Sequence, residues 1–526
     1  MCGIAGVYSP DCKRTEPDVL ASMLSVMRHR GPDGSGVHID SGIALAHARL
    51  SIIDIEGGAQ PMSVENGAVW ITFNGEIFNY IELRDELVSR GHRFRTHSDT
   101  EVLLRLYLEK GESCVEDLNG QWAFAIWDSE KRKLFLSRDR MGVRPLYYTK
   151  VKGSIVFASE IKAILQHPGV SKNLDWKALD QIFTLWVTLP PRTIFDGIFQ
   201  LPPGHSMSVE DGRTKIYCYW QPRYLENGYS LGRSEQEAAE QFLTLLDDAT
   251  RIRLRADVPV GAYLSGGIDS TLITALVKRN AGNRLRTFSV GFESPDFDES
   301  SFQVEAARFF ETDHAQVTCK ASDIGQIFPE VVRHAEQPLL RTAPAPLQIL
   351  SNLVRRSNFK VVLTGEGSDE IFGGYDIYKE AKIRRFWSQQ PNSRSRAALL
   401  RRLYPYLQNI QRQPTAYLQQ FFQVRDSDIA SPFFSHLPRW GLTSKLKLFF
   451  SAASRAALNN YDCLAELQSQ LPESYGKWPG FCQAKYLETV QLLPGYILSS
   501  QGDRMAMANS VEGRYPFLDH RVVDFA

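Results

Sequence analysis

The periodicity of the apolar residues changes once along this 526-residue chain. Up to about residue 220, short runs in which apolar and polar residues alternate are separated by Gly, Asn and Asp, a pattern typical of antiparallel strands. From about residue 234, helical runs alternate with short apolar strands, which indicates a parallel, doubly wound sheet. The chain is also longer than one hydrophobic core usually serves. We therefore predict an α+β domain over residues 1–220 and an α/β domain over residues 221–526.

Local signals refine this division. Two helices are predicted in the first domain, over residues 80–90 and 99–110, and Ser98 and Glu101 have the spacing of a capping box. The segment 202–232 is rich in Pro, Gly and polar residues, and we predict the domain boundary there. The chain runs apolar to its last residue without a stop signal, so we expect the sequence to be a piece of a longer chain.

Residues 383–483 contain several aromatic and Arg-rich runs at mostly helical spacing. We interpret them as packed helices added to the second domain. An aromatic platform for nucleic acid is a weaker alternative, because 60 basic and 60 acidic side chains leave no net charge to attract phosphates. We accordingly expect no nucleic-acid partner.

The composition also bears on the compartment. No run reaches the roughly 18 to 20 apolar residues of a membrane helix, and the first residues lack the order of a signal peptide. The seven cysteines are odd in number, scattered and never in a C-x-x-C pair, which argues against disulfides and zinc. We expect a cytoplasmic protein with no membrane partner. Whether it forms a homodimer is left open by the sequence.

A cysteine at position 2 is the first residue with a chemical implication. If Met1 is removed, as a small second residue favours, Cys2 carries a thiol and an α-amine on one residue. An α-amine titrates at about 7.7 to 8.0 and can take the thiol proton, so one residue supplies nucleophile and base. Taken alone, however, a Cys at this position is more often an accident of the start context.

Other polar residues of the first domain can assist such a nucleophile. The side-chain amide of Asn74 and the backbone N–H of Gly75 can face a developing oxyanion, although Asn-Gly is also a common hairpin turn. Arg49 can bind an α-carboxylate. Asp99 can accept an α-ammonium, but it is equally suited to the start of a helix. In isolation, a structural role is the better interpretation of Arg49 and Asp99.

Taken together, the motifs of the first domain resemble those of glutamine amidotransferases whose nucleophile is an N-terminal cysteine. They are MCGIAG, RHRGPDG, ARLSIID, FNGEIFN, SDTE and RDRMGVRPLYY, in that order. The resemblance implies an αββα sandwich of the N-terminal-nucleophile type, in which Cys2 attacks the glutamine amide and ammonia is the useful product. It implies that Asn74 and Gly75 hold the oxyanion, and that glutamine is bound by Arg49, Leu50, Ser51, Ile52, Ile53, Asn74, Gly75, Glu76 and Asp99.

The second domain contains the sequence SGGIDS at residues 265–270, between an apolar run and a helical run. Its glycines allow backbone N–H groups to surround an anion at the positive end of the helix, which indicates a phosphate-binding loop. The Gly-Lys-Ser/Thr of a Walker A motif is absent from the sequence. Because a carboxylate beside phosphates indicates Mg²⁺ between them, Asp269 is a predicted metal ligand.

A second polar loop, TGEGSDE at residues 364–370, follows the apolar run FKVVL. Its three carboxylates within five positions repel one another unless a cation or a cationic substrate lies nearby, although acidic loops are often only solvated. The presence of SGGIDS upstream favours the catalytic interpretation. Asp369 is the second predicted Mg²⁺ ligand.

These two loops, with FSVGF and MANSVEGRYPFLDHR further along, resemble the synthetase domain of glutamine-dependent asparagine synthetases. The resemblance implies an ATP-pyrophosphatase domain in which ATP activates the side-chain carboxylate of aspartate as an acyl-adenylate. Pyrophosphate would leave into the 265–270 loop, and ammonia would displace AMP. The resemblance places Glu366 near the adenylate, and it places ATP against Leu264, Ser265, Gly266, Gly267, Asp269, Ser270, Val290, Thr364 and Gly365.

Some positions depart from that family. Thr364 stands where Ser is common, and Gly513 stands where Ala is common. In the segment 336–350, only Arg341 and its surroundings match the aspartate side of the usual enzymes. The acceptor is therefore open between aspartate, which is favoured, and another carboxylate of a biosynthetic or cell-envelope pathway.

Two further alternatives are disfavoured by the residues present. A tRNA-thiolating relative of the nucleotide loop would be expected to have C-x-x-C pairs and a basic excess. A catalytically silent sensor or scaffold would not be expected to keep all of Cys2, Asn74, Asp269 and Glu366.

Overall fold

The structure of the protein is a computed structural model that describes residues 2–226, 232, 234–281 and 285–526. The removal of Met1 and the last part of the predicted boundary, residues 227–231, lie outside the described residues. No helix in the described part of the chain has both the length and the apolar character needed to cross a membrane.

The first domain is built on two antiparallel sheets. Its strands are β1 Gly3–Tyr8, β2 Gly34–Asp40, β3 Ile43–Arg49, β4 Met62–Val64, β5 Val69–Ile77, β6 Gly120–Asp128, β7 Lys133–Arg138, β8 Tyr147–Val151, β9 Ser154–Ala158, β10 Ile198–Gln200, β11 His205–Glu210 and β12 Arg213–Cys218. One sheet has the order β10-β8-β9-β1-β3-β2, and the other has the order β12-β11-β7-β6-β5-β4.

The first domain also contains helices. They are α1 Pro17–Ser25, α2 Tyr80–Ser89, α3 Asp99–Lys110, α4 Ile161–Ile164 and α5 Trp176–Leu185. Helices α1 and α4 share a buried core with the first sheet, and α2 and α3 share one with the second. A third core, which includes Ile4 and Leu136, lies between the sheets. These layers confirm the predicted αββα sandwich.

Two local predictions in this domain need correction. Ser98 caps α3, because its Oγ accepts the N–H of Thr100 at 3.2 Å, but Glu101 does not complete a capping box. Its carboxylate instead accepts the N–H groups of Arg95 and Thr96. The predicted boundary segment 202–232 also begins too early, since β11 and β12 lie within it and β11 pairs with β7.

The second domain contains one parallel sheet. Its strands are β13 Val260–Tyr263, β14 Arg286–Phe292, β15 Asp313–Cys319, β16 Val361–Leu363 and β17 Glu512–Arg514, in the order β15-β14-β13-β16-β17. The order reverses beside β13, because the next two strands lie on one side of it and the last two on the other. Such a switch point opens a crevice at the carboxyl ends of the strands. The doubly wound sheet is thus confirmed.

Helices flank this sheet and fill the long connection between β16 and β17. Those of the sheet are α6 Glu235–Arg253, α7 Ile268–Ala281, α8 Ser300–Phe309, α9 Ala321–Ala335, α10 Pro344–Arg356 and α11 Ser368–Phe372. Those of the connection and the last residues are α12 Asp376–Ser388, α13 Arg394–Ala397, α14 Gln408–Gln411, α15 Thr415–Phe421, α16 Asp426–Ile429, α17 Leu437–Thr443, α18 Ala452–Leu458, α19 Cys463–Ser469, α20 Gly480–Leu487, α21 Arg504–Met507 and α22 His520–Phe525. Wide π-type turns over Glu488–Asp503 join α20 to α21.

The aromatic residues of the connection are mostly interior. Trp387 and Phe422 belong to one buried cluster, and Phe433, Trp440 and Trp478 belong to another that also includes the end of α5. This burial supports the interpretation as packed helices and leaves those rings unavailable for stacking on bases.

Candidate active sites and the interface between them

Cys2 lies immediately before β1, next to the second sheet. Its main-chain nitrogen donates to Asn74 Oδ1 at 2.9 Å, and its thiol lies 3.9 Å from the carbonyl oxygen of Leu50. Burial raises the pKa of the Cys2 thiol, although the positive amino terminus acts in the opposite direction. The thiol is therefore mostly protonated at rest and needs a base to become a nucleophile.

Asn74 and Gly75 lie inside β5, opposite Ala123 and Trp122 of β6, so the hairpin-turn interpretation is wrong. The Nδ2 group of Asn74 is buried without a hydrogen-bond partner among the described residues. A Cβ atom on Gly75 would lie 2.1 Å from the carbonyl oxygen of Gln121, so the packing requires glycine. A side chain that contacts Cys2 thus carries a free amide donor, which is what an oxyanion contact needs.

The segment from Arg49 to Ile53 forms another wall near Cys2. Arg49 ends β3, and its guanidinium donates to the carbonyl oxygens of Asp54 at 2.6 Å and Ile55 at 2.8 Å. Its charge lowers the pKa of the Cys2 thiol. Leu50, Ile52 and Ile53 are buried together, and Ser51 donates its N–H to a carboxylate of the same domain.

Glu76 and Asp99 place two carboxyl groups at this site. Asp99 accepts the N–H of Ile77 at 3.0 Å, and burial raises its pKa to about 6. Burial and the neighbouring Asp99 raise the pKa of Glu76 well above its usual value. Since buried carboxylates are stabilised by a positive partner, the pair favours a cationic ligand such as an α-ammonium.

The predicted phosphate loop lies between β13 and α7, as expected from its sequence. The hydroxyl of Ser270 accepts the N–H of Ser265 at 3.1 Å, and Ser265 Oγ accepts the N–H of Gly267 at 3.3 Å. Gly266 has a φ of +86°, and a Cβ there would lie 2.8 Å from Cβ of Phe302. The loop is therefore a fixed turn at the start of a helix, the geometry that favours anions.

The second loop follows β16, which is the neighbour of β13 in the sheet. A Cβ on Gly365 would lie 2.9 Å from the nitrogen of Ser270, so the two loops touch. The main-chain N–H of Thr364 donates to the carbonyl oxygen of Arg514 at 3.0 Å. Both predicted nucleotide loops thus meet at the switch point of the sheet, where ligands of such sheets bind.

Three acidic side chains face this crevice. Ser368 donates its hydroxyl to Asp269 Oδ1 at 2.8 Å. Burial, and then the charge of Asp269, raises the pKa of Asp369 to about 6, and burial raises the pKa of Glu366 to about 7. Glu366 Oε2 is buried without a hydrogen-bond partner among the described residues.

The remaining predicted ATP contacts lie on the two adjacent strands. Leu264 is buried and donates its N–H to the carbonyl oxygen of Phe288 at 2.9 Å. Val290 lies in β14, and its carbonyl oxygen accepts from the Gln303 side chain at 3.1 Å. The residues predicted for the nucleotide site therefore lie either in β14 or in the segments that follow β13 and β16, at the same crevice.

A buried network of ion pairs joins the two domains, and its members have no role that the sequence predicts. Arg30 donates from Nε to the carbonyl oxygen of Cys2 at 3.0 Å and from Nη1 to Asp503 at 2.8 Å. Arg144 lies 3.3 Å from Asp503 and 3.9 Å from Glu512. All four charged side chains are fully buried. Arg30, Arg144 and Glu512 lie in the motifs RHRGPDG, RDRMGVRPLYY and MANSVEGRYPFLDHR, and Asp503 lies in none of them, so the sequence does not indicate that these residues meet.

A second contact holds the Arg49–Ile53 wall against the parallel sheet. Lys360, just before β16, lies 2.7 Å from Asp33 and 3.3 Å from the carbonyl oxygen of Ser51. Asp257 donates its N–H to the carbonyl oxygen of Ile52 at 2.9 Å. The glutamine-side wall and the nucleotide-side sheet are therefore in direct contact.

The fold and the two sites together define a two-domain class: an N-terminal-nucleophile amidotransferase domain joined to a doubly wound nucleotide-binding domain. A model of the glutamine amidotransferase domain matches residues 1–220, and a model of asparagine synthase matches residues 241–526. The chain belongs to the asparagine synthase family, which confirms the resemblance of its motifs.

Full-length relatives agree with this assignment. Asparagine synthetase [glutamine-hydrolyzing] 1 of Bacillus subtilis is 31% identical over 100% of this chain and 80% of its own length. Asparagine synthetase [glutamine-hydrolyzing] 3 of the same organism is 32% identical over the same shares. Amidase chyE of Penicillium rubens is 30% identical over 97% of this chain and 78% of its own length.

Proposed function

We propose that the protein is a glutamine-dependent asparagine synthetase, an ATP-dependent carbon–nitrogen ligase. It hydrolyses glutamine to ammonia, adenylates the side-chain carboxylate of aspartate with ATP, and forms the amide with release of AMP and pyrophosphate. One observation carries this proposal: a single chain of this family contains both sites. In the first, Cys2 contacts a side chain with a free amide donor, and in the second, two predicted nucleotide loops meet at the switch point of the parallel sheet.

In the first half-reaction, Cys2 is the nucleophile and its own α-amine is the base once Met1 is removed. The thiolate attacks the side-chain carbonyl of glutamine, and Asn74 with Gly75 stabilises the oxyanion. Arg49 holds the α-carboxylate, Glu76 and Asp99 hold the α-ammonium, and residues 50–53 complete the site. The free Nδ2 of Asn74 and the paired carboxyl groups support these roles.

In the second half-reaction, the 265–270 loop holds the leaving pyrophosphate, while Leu264, Val290, Thr364 and Gly365 contact the rest of ATP. The α-phosphorus accepts the aspartate carboxylate, and ammonia then displaces AMP from the acyl-adenylate. Glu366, whose carboxyl is raised in pKa to about 7, is suited to take a proton from the attacking ammonia near neutral pH.

The proposed cation is Mg²⁺, with Asp269 and Asp369 as ligands. Mg²⁺ is usually bound by one or two carboxylates plus substrate phosphates, and it neutralises phosphate charge when bound. Burial and the charge of Asp269 raise the pKa of Asp369 to about 6, so a cation held between the two carboxylates would favour their ionised forms. Among the described residues there is no group of three or more His, Cys, Asp or Glu that could hold a metal without the nucleotide.

Several finer points remain predictions of this proposal. They are the division of the chain at residue 220, a cytoplasmic location and a homodimeric assembly. The seven cysteines are free, which fits a reducing compartment. Sedimentation of the purified chain would test the assembly.

The acceptor can be tested directly. Pyrophosphate release should be measured with glutamine and ATP across a panel of carboxylic acids that includes aspartate, glutamate and longer dicarboxylates. We expect a strong preference for aspartate. A higher rate with another acid would instead support a synthetase-like amidotransferase for that carboxylate. No pyrophosphate with any acid would contradict the proposed function as a whole.

A further inference from the structure

Glu76, which the proposed function assigns to glutamine, faces a cation of the other domain. Its Oε1 lies 3.8 Å from Nη2 of Arg514, the last residue of β17. Its Oε2 is buried without a hydrogen-bond partner, and within the described residues Glu76 has no other ion pair. The positive side chain nearest this carboxylate is therefore supplied by the parallel sheet.

Arg514 is held rigidly in that position. It is fully buried, its Nε donates to Glu512 at 2.6 Å, and its Nη1 donates to the carbonyl oxygens of Arg253 and Arg255 at 2.7 Å each. Nη2 has no hydrogen-bond partner among the described residues. Because the other donors are fixed by the second domain, Nη2 is the group left to face Glu76.

The same residue also supports the nucleotide site. Arg514 pairs with Leu363 across β16 and β17, and its carbonyl oxygen accepts the N–H of Thr364 at 3.0 Å. One residue therefore contacts a glutamine-site carboxylate through its side chain and a nucleotide loop through its main chain.

The charges around Glu76 explain why such a cation is needed. The carboxyl groups of Asp99 and Glu512 oppose its ionisation, and Arg514 and the amino terminus favour it. The Cys2 thiol and the Tyr80 hydroxyl also lie within its electrostatic reach. Without Arg514, the burial of Glu76 and its two acidic neighbours would raise its pKa further, so it would hold a proton more readily and bind an ammonium poorly.

We infer that Arg514 is a positioning residue through which the synthetase domain completes the glutamine site. Its guanidinium favours the carboxylate form of Glu76, which binds the α-ammonium of glutamine, while its carbonyl oxygen holds the nucleotide loop. This inference rests on the proposed function, because it assumes that Glu76 binds glutamine.

The test uses the full chain with Arg514→Met, which removes the charge, and Arg514→Lys, which keeps it. Arg384→Met is the matched control, since Arg384 is an equally buried arginine that pairs with Glu380 in the helical connection. Each variant is assayed for glutamine hydrolysis and for synthesis from ammonium chloride, aspartate and ATP.

For Arg514→Met, KM for glutamine should rise about tenfold or more, because one partner of a buried charge pair is lost. Synthesis from ammonium should lose much less activity than glutamine hydrolysis, because it bypasses glutamine and the substitution keeps the main-chain bond to Thr364. The acid limb of the pH profile of kcat/KM for glutamine should move to higher pH. Arg514→Lys should recover part of the loss, and Arg384→Met should leave KM for glutamine unchanged.

Three outcomes would overturn the inference: an unchanged KM for glutamine in Arg514→Met, an equal loss of both activities, or the same KM change in Arg384→Met. Failure of the proposed function is recognised separately, in the wild-type chain. There it would appear as an absence of glutamine hydrolysis or of pyrophosphate release before any variant is compared.

Discussion

The side chain of Cys2 is buried, and its burial raises the pKa of its thiol. A thiol in that state is inert without a base, and in the proposed function this base is the amine of the same residue. Asn74 contacts the main-chain nitrogen of Cys2 and can thereby orient both groups.

Cys2→Ala should separate the two half-reactions. We expect synthesis with glutamine to be lost, because the nucleophile is gone, and synthesis with ammonium salts to be retained. Pyrophosphate release with each nitrogen source is the measurement. Cys218→Ala, which changes an exposed cysteine, is the control and should keep both activities. An equal loss of both in Cys2→Ala would mean that the sites are not independent.

Glu366 is proposed to act in synthesis, and its buried carboxyl should also make the stability of the protein depend on pH. Its pKa is about 7 in the folded chain against an ordinary 4.5, because its carboxyl is buried. The folded state therefore binds more protons between these values, and the free energy of unfolding falls as pH rises through about 7. At 1.36 kcal/mol per pKa unit, the loss is on the order of 3 kcal/mol above that pH.

Glu366→Gln removes this ionisation. The variant should melt at a higher temperature than wild type at pH 8 and at nearly the same temperature at pH 5, while synthesis from ammonium is lost. Calorimetry at the two pH values is the measurement. Glu330→Gln, an exposed position, should show no such difference. An equal shift in melting temperature at both pH values would rule out the titration of Glu366 as the cause.

At the scale of the element, most regular structure could be predicted from the sequence. Both helices predicted in the first domain are present as α2 and α3, because their buried faces repeat with the period of a helix. The three-residue strand β17 was missed, since its length gives no period. The Asn74-Gly75 turn was wrong because the pairing of β5 with β6 overrides the local preference of Asn-Gly.

A substitution at Gly266 tests the loop between β13 and α7. Gly266→Ala combines a φ of +86° with a Cβ that would lie 2.8 Å from Phe302, so the loop must move. We expect KM for ATP to rise about tenfold while glutamine hydrolysis is kept. Gly325→Ala, whose Cβ would meet open space on α9, is the control. Unchanged ATP kinetics in Gly266→Ala would show that the loop does not hold the nucleotide in this geometry.

At the scale of the whole molecule, the two sites could be placed on their domains from motifs, but their connection could not. Arg30 and Asp503 are far apart in the sequence and meet only because the αββα sandwich lies against the parallel sheet. No local pattern encodes such a contact, which depends on how two completed domains pack.

The network predicts that the interface stabilises the chain as a unit. Asp503→Asn leaves the buried guanidinium groups of Arg30 and Arg144 without their shared carboxylate. Breaking a buried pair costs about 3–5 kcal/mol, so the melting temperature should fall by several degrees. Asp313→Asn, which removes an exposed pair with Arg286, should change it little. Equal melting of Asp503→Asn and wild type would show that the network carries no stability.

Strand β17, in which Arg514 accepts the N–H of Thr364, is the last strand of the parallel sheet along the chain and follows the whole helical connection. During translation, a ribosome has to release Glu512–Arg514 before β17 can pair with β16 and before Arg514 can reach Glu76. A growing chain would carry Cys2 and both nucleotide loops long before either pocket has its final partner. Neither pocket can therefore reach its final form before β17 has been synthesised and has paired with β16.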